Sequence, residues 1–143
     1  MRSDMAKRSP LDALCDRLHA FGLALPGAHT KSPWPGHRDL AVNDKTFCYL
    51  STPGEPFSIG CKLPGSAHVA LLLPFVTPTA YGLGKSGWVT AQLPPKMKID
   101  EAMLEAWIVE SYRAQAPKRF VKELDARARP KVQATKPLKA RKY

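Results

Sequence analysis

The spacing of apolar residues changes twice along the chain, and that change limits the fold more than any single motif does. Leu11, Leu14, Leu18 and Phe21, with Cys15 beside them, recur at helical spacing. Phe57, Ile59, Cys61 and Leu63 then alternate with Ser58, Gly60 and Lys62, the period of a strand with one buried face. Met103, Leu104, Trp107, Ile108 and Tyr112 return to helical spacing. Strands gathered between helices, in hairpin order, argue an α+β fold with an antiparallel sheet.

Punctuation residues place the boundaries. Ser9 caps the first helix, Pro10 fits its first turn, Asp12 suits its dipole, and Gly22 supplies the stop. Leu25 to Gly36 reads as a proline- and glycine-rich connection with one short strand. His37 to Val42 and Thr46 to Leu50 flank Asn43-Asp44, a pair that tolerates positive φ and predicts a tight hairpin. A turn at Thr52 to Pro56 precedes the alternating strand, and Ala67 to Leu73 reads as a short helix. Pro74 to Gly87 reads as an irregular loop, and Trp88 to Leu93 as strand. Asp100 caps the next helix, with Glu101, Glu105 and Glu110 turned to water, and Pro117 opens a last short helix through Leu124. The expectation is an antiparallel meander sheet of about five strands, with N- and C-terminal helices packed on one face.

A chain of 143 residues is one domain's worth, able to bury a core without disulfide or metal staples. The longest apolar run, Val69 to Leu73, is far short of a membrane span. Met1 to Pro10 has charges but no apolar stretch behind them and is not expected to be a secretory signal. Cys15, Cys48 and Cys61 sit among apolar neighbours without C-x-x-C spacing, as buried reduced thiols of a cytoplasmic protein do. The net charge is +10, but seven cations and no acid lie beyond residue 125, which leaves +3 for the rest. The organisation expected is therefore a domain over residues 1–125 and a disordered basic tail over 126–143. Such a charge balance points to anionic partners.

Several short signatures occur in a fixed order: Leu25-Pro26-Gly27, Trp34-Pro35, Val42-x-x-Lys45-x-Phe47, Ile59-Gly60-Cys61-Lys62-Leu63, Lys85-x-Gly87-Trp88-Val89 and Ser111-Tyr112-x-x-x-Ala116-Pro117-Lys118. Together they resemble the MmcQ/YjbR family across about residues 10 to 125. The resemblance implies a small α+β domain, described as a double-wing DNA-binding motif and related in shape to frataxin-like and secretion-chaperone-like folds.

Candidate binding residues follow from charge and aromaticity. Lys45, Lys62 and Lys85 stand where the family pattern places polar residues, and on an open sheet face they would converge on a polyanion. Trp34, Trp88 and Tyr112 would add stacking surface; the alternative is that the rings are core and the lysines are solvated strand positions. Trp107, in the helix stripe, reads as core. Ser111, Tyr112, Arg113, Lys118 and Arg119 would form a phosphate clamp where Pro117 restarts a helix. The same residues also suit a plain helix-to-helix corner with Tyr112 packed inside.

Catalytic arrangements are not apparent. His19, His29, His37 and His68 lack metal-ligand spacing, and His37-x-Asp39 has no third ligand in sequence. Gly82-Leu83-Gly84-Lys85-Ser86-Gly87 has the residues of a phosphate-cradling loop without its spacing. The expected function is non-catalytic nucleic-acid binding, to DNA or RNA without sequence preference, with no cofactor and no metal. Two alternatives stand beside it: a protein-interaction module marked by an exposed apolar patch, and a small-anion binder with Tyr81 and the three lysines around one pocket.

Overall fold

The computed structural model describes residues 10–32, 38–52, 56–79, 83–93 and 100–135. Helix α1 (Pro10–Leu23) leads into strands β1 (Ala28–Lys31), β2 (Asp39–Val42), β3 (Lys45–Leu50) and β4 (Ser58–Lys62). A single helical turn, α2 (Ala67–Ala70), precedes β5 (Val76–Pro78), and a 3₁₀ turn at Leu83–Ser86 runs into β6 (Trp88–Gln92). Helices α3 (Glu101–Gln115) and α4 (Lys118–Thr135) complete the described chain.

The six strands form one sheet in the order β1-β2-β3-β4-β6-β5, with every neighbouring pair antiparallel. The α+β class is as the apolar spacing requires. The meander, however, ends at β4: β6 lies between β4 and β5, and there are six strands rather than about five. The extra strand is β5, three residues ending in proline, too short to show alternation.

The β2–β3 hairpin turns as the sequence predicts. Asn43 (φ 50°) and Asp44 (φ 66°) take the left-handed conformation, and Val42 pairs with Lys45 across a two-residue loop. Leu40 pairs with Cys48 but Ala41 with Thr46, so Phe47 is an extra residue in β3. This bulge lets Phe47 and Cys48, neighbours in sequence, both be fully buried.

Alternate residues of β3, β4 and β6 fill the core. Cys48, Leu50, Ile59, Cys61, Val89 and Ala91 share one face, where they meet α1 through Leu14 and Leu18 and α3 through Leu104 and Ile108. Gly22 does not stop α1; it lies within it, and a Cβ there would meet Leu40 Cδ1 at 2.3 Å. Its smallness lets helix and sheet approach. Asp100 caps α3 as expected, accepting from Met103 N–H. Glu110 does not face water: its carboxylate accepts from the N–H groups of Gly65 and Ser66 and from Ser66 Oγ, fixing the start of α2.

Helix α4 continues to Thr135, where apolar content alone would end it at Leu124. Polar bonds support its extension as far as Arg127. Arg127 donates to the Ala24 carbonyl at 2.6 Å and pairs with Glu123 one turn earlier, while Arg113 of α3 pairs with Asp125 at 2.7 Å.

Candidate nucleic-acid interface

Ser111 and Tyr112, the hydroxyl pair of the expected phosphate clamp, are both fully buried. Their work is internal. The β3–β4 register ends at Cys48 opposite Cys61; one step further, Phe47 and Lys62 would be the next rung. The bulge has displaced Phe47, and Ser111 Oγ enters the gap, accepting from Lys62 N–H at 2.8 Å and donating to the Phe47 carbonyl. One hydroxyl thus satisfies two ladder groups that lack a backbone partner. Tyr112 sets its ring edge-on to Phe47 at 5.4 Å and donates its hydroxyl to the Pro26 carbonyl at 2.6 Å. Beyond that carbonyl Gly27 takes φ +72° against the Phe120 ring of α4. Neither hydroxyl is available to a ligand.

The remaining members of the clamp are exposed, and the fold gives them a neighbour. Gln115, at the end of α3, donates through Nε2 to the Thr46 carbonyl at 3.1 Å. The hairpin tip carrying Lys45 therefore lies against the α3–α4 corner that carries Lys118, Arg119 and Lys122. Lys31 joins the same end, donating to the Asp44 carbonyl at 3.1 Å. No described carboxylate pairs with Lys45, Lys118 or Lys122, whereas Arg113 is held by Asp125. Arg119 lies 4.6 Å from the centre of the Phe120 ring.

The sheet face turned away from α1 and α3 carries the second set. Lys62 pairs with Trp88, Gly60 with both Tyr49 and Thr90, and Ser58 with Gln92, which puts these side chains on one surface. Among the described residues no helix lies over it. Trp88 is on this face, yet only 5% exposed. Tyr49 covers it, the rings tilted at 53° with centroids 5.2 Å apart, and is itself 39% exposed. Tyr49 is the residue that sequence reasoning passed over. Its signal was available, as an aromatic at the outward position between buried Cys48 and Leu50. Lys85 sits on the exposed 3₁₀ turn, apart from the hairpin tip.

Two clefts accompany these surfaces. One, of about 520 Å³, is lined by Asp39, Tyr49, Ser51, Ser58 and Gln92 among others. The other, of about 400 Å³, runs between α2 and α3 past Val69, Leu73, Met103 and Trp107. Neither has Lys45, Lys62 or Lys85 in its wall, so the lysine-rimmed pocket of the small-anion alternative is not formed by them. Trp107 is core, at 6% exposure. Trp34, His37 and Tyr81 lie outside the described residues, as do Ser9 and residues 136–143.

All three cysteines are free and buried. Burial pushes the Cys15 thiol up despite Arg38 nearby, and pushes Cys48 well up, with the Cys61 thiol beside it adding to the shift. His19 Nε2 lies 3.0 Å from Thr30 Oγ1, and burial lowers its pKa. Asp39 accepts from Leu50 N–H at 3.0 Å. No group of three or more metal-ligating side chains occurs among the described residues. No described helix is long and apolar enough to cross a membrane.

The internal contacts of Ser111, Tyr112, Phe47, Lys62 and the Pro26-Gly27 turn join most of the signatures noted in the sequence into one connected scaffold. The YjbR family model matches residues 23–114, which span that scaffold. The chain belongs to the YjbR family. Among solved structures, the DUF419-domain protein DR2400 of Deinococcus radiodurans superposes with a TM-score of 0.56 at 20% identity, over 68% of this chain and 74% of that one. A protein from Pseudomonas syringae superposes with a TM-score of 0.52 at 18% identity, over 70% of this chain and 97% of that one. No curated protein is detectably similar in sequence. At these identities the neighbours establish the YjbR fold.

Proposed function

We propose that this YjbR protein is a cytoplasmic, non-catalytic nucleic-acid-binding protein with little sequence specificity. The observation that carries the reading is the meeting of the hairpin tip with the α3–α4 corner. The Gln115 bond to the Thr46 carbonyl supports it by bringing the tip that carries Lys45 to the corner that precedes Lys118, Arg119 and Lys122, and no described carboxylate is paired with any of the four. Lys62 lies at the same end of the open face, one register step beyond the Cys48–Cys61 pair, and α4 leads on into the basic C-terminal sequence. Cations arranged on a ridge neutralise phosphates and release counterions, and such contacts carry no sequence information.

Binding to a labelled DNA of the full chain and of a K118Q/R119Q/K122Q variant, measured against salt, tests this. The log–log slope should be shallower in the variant by about 2 to 3, at roughly 0.9 per phosphate released on duplex. An unchanged slope, or no binding by the wild type near about 50 mM salt, removes the reading.

A protein-contact role is the second reading, favoured by one feature. Val69, Leu71 and Leu72 are 57%, 39% and 81% exposed beside the apolar groove between α2 and α3. Sedimentation of the full chain separates the two: self-association lost in a Leu72→Asp variant supports this surface, and a monomer at all concentrations leaves it no self-partner.

A further inference from the structure

We propose that the cleft on the open sheet face is a nucleobase pocket, so that this surface takes single-stranded rather than duplex nucleic acid. This rests on the nucleic-acid reading above and adds what the phosphate contacts leave out, the part of the ligand that is not phosphate.

The cleft joins an aromatic wall to a row of small polar side chains. Tyr49 supplies a flat aromatic wall, and Trp88 at 5.2 Å holds that ring in place. Gly60, paired with Tyr49 on β4, adds no side chain to this surface; a Cβ there would make ordinary contacts at 3.6 Å with Tyr49 Cβ and Cδ2 and with Thr90 Oγ1. Ser58 and Gln92 face each other across the β4–β6 register at the next step, and Ser51 adds a hydroxyl from the end of β3. An amide and hydroxyls, able both to donate and to accept, suit the edge of a base.

The described lining of the cleft suits the base of a nucleotide better than its phosphate. Among the described residues no cation lines the cleft, and the Asp39 carboxylate does, accepting from Leu50 N–H. Lys62 is a cation on the same face, two residues from Gly60 and paired with Trp88, which places a phosphate site beside the base site rather than within it. A volume of about 520 Å³ is within the usual range for a small-ligand pocket. A base can lie on Tyr49 only if its own face is free. In a duplex it is stacked and paired, so a single strand or a free nucleoside must deliver it.

Fluorescence anisotropy of a labelled oligothymidylate, the matching duplex, and thymidine as competitor decides the matter in the full-length protein. Tyr49→Ala should weaken single-strand binding about tenfold, since one stacked base is lost, and leave the duplex unaffected. Tyr49→Phe, which keeps the ring, should retain the affinity. Thymidine that displaces the oligomer from wild type but not from Tyr49→Ala supports the pocket with the free nucleoside as its source. Unchanged single-strand affinity in Tyr49→Ala, with the salt slope of the corner lysines intact, overturns the pocket and leaves the nucleic-acid reading standing. No binding of either oligonucleotide by wild type removes that reading, and the strand-level proposal with it.

Discussion

The two faces of the sheet are built from alternate residues of the same strands and spend their polar groups in opposite ways. On the helix-covered side Ser111, Tyr112 and Glu110 are all committed to backbone groups of distant elements. On the other side Tyr49, Ser58, Lys62 and Gln92 are exposed or half-buried around a cleft and beside a cationic end. The contrast separates what makes this chain a YjbR protein from what it can bind. The hydroxyl pair in Ser111-Tyr112 and the turn at Pro26-Gly27 hold the fold. The exposed ring of Tyr49 lies between signature positions and is not part of the scaffold.

Substitutions on the two faces should therefore part company. Tyr112→Ala removes a fully buried ring packed on Phe47 and a hydrogen bond to the Pro26 carbonyl, and should cost about 3–5 kcal/mol in denaturant unfolding. Tyr49→Ala, an equal truncation on the open face, should cost far less, because the ring is already 39% exposed. Equal losses from the two would end the distinction between scaffold face and ligand face. Ser111→Ala comes next. It changes volume little but leaves the Lys62 N–H and the Phe47 carbonyl without their partner, for about 1–3 kcal/mol. Amide exchange sharpens the point: the Lys62 amide should lose protection in that variant while the Ile59 amide keeps it.

How much of this was legible beforehand differs from element to element. The Asn43-Asp44 hairpin, the alternation through Ile59 and Cys61, and the stripe of α3 through Leu104 and Ile108 are local patterns, and local patterns survive in sequence. Ser111 is different. A serine beside Arg113 and Lys118 looks the same whether it points at solvent or into a sheet; only the bulge at Phe47, a property of the β2–β3 pairing, creates the gap it fills. The extra length of α4 was hidden because its support is polar, from Arg127 to Ala24 and Glu123, where apolar spacing has nothing to report. The convergence of Lys45 on the corner likewise depends on one long-range bond, Gln115 to Thr46. Trp88 shows the reverse case: its strand position was right, but its exposure was set by the neighbour, Tyr49, that covers it.

The smallest effect expected lies outside both faces, on the solvent side of the helix layer. Arg17 of α1 binds both carboxylate oxygens of Glu101 at the start of α3, at 3.0 Å through Nε and Nη2. Those hydrogen bonds, aided by the charge of Arg17, hold the Glu101 carboxyl below its ordinary range. A folded-state pKa below the unfolded value means that the pair contributes fully above the ordinary glutamate pKa of about 4.3. The contribution then fades as pH falls through the lowered folded value. Because both side chains are largely in water, the contribution is slight and screened by salt. Melting temperatures of wild type and Arg17→Met should differ by a small constant amount above about pH 5 and converge as the medium is acidified. A gap that instead persists in acid, where Glu101 is protonated, would mean that Arg17 acts through its packing rather than through this carboxylate. A gap as large as that of Ser111→Ala would mean that the joint between α1 and α3 is held by this exposed pair rather than by the buried layer of Leu14, Leu18, Leu104 and Ile108 beneath it.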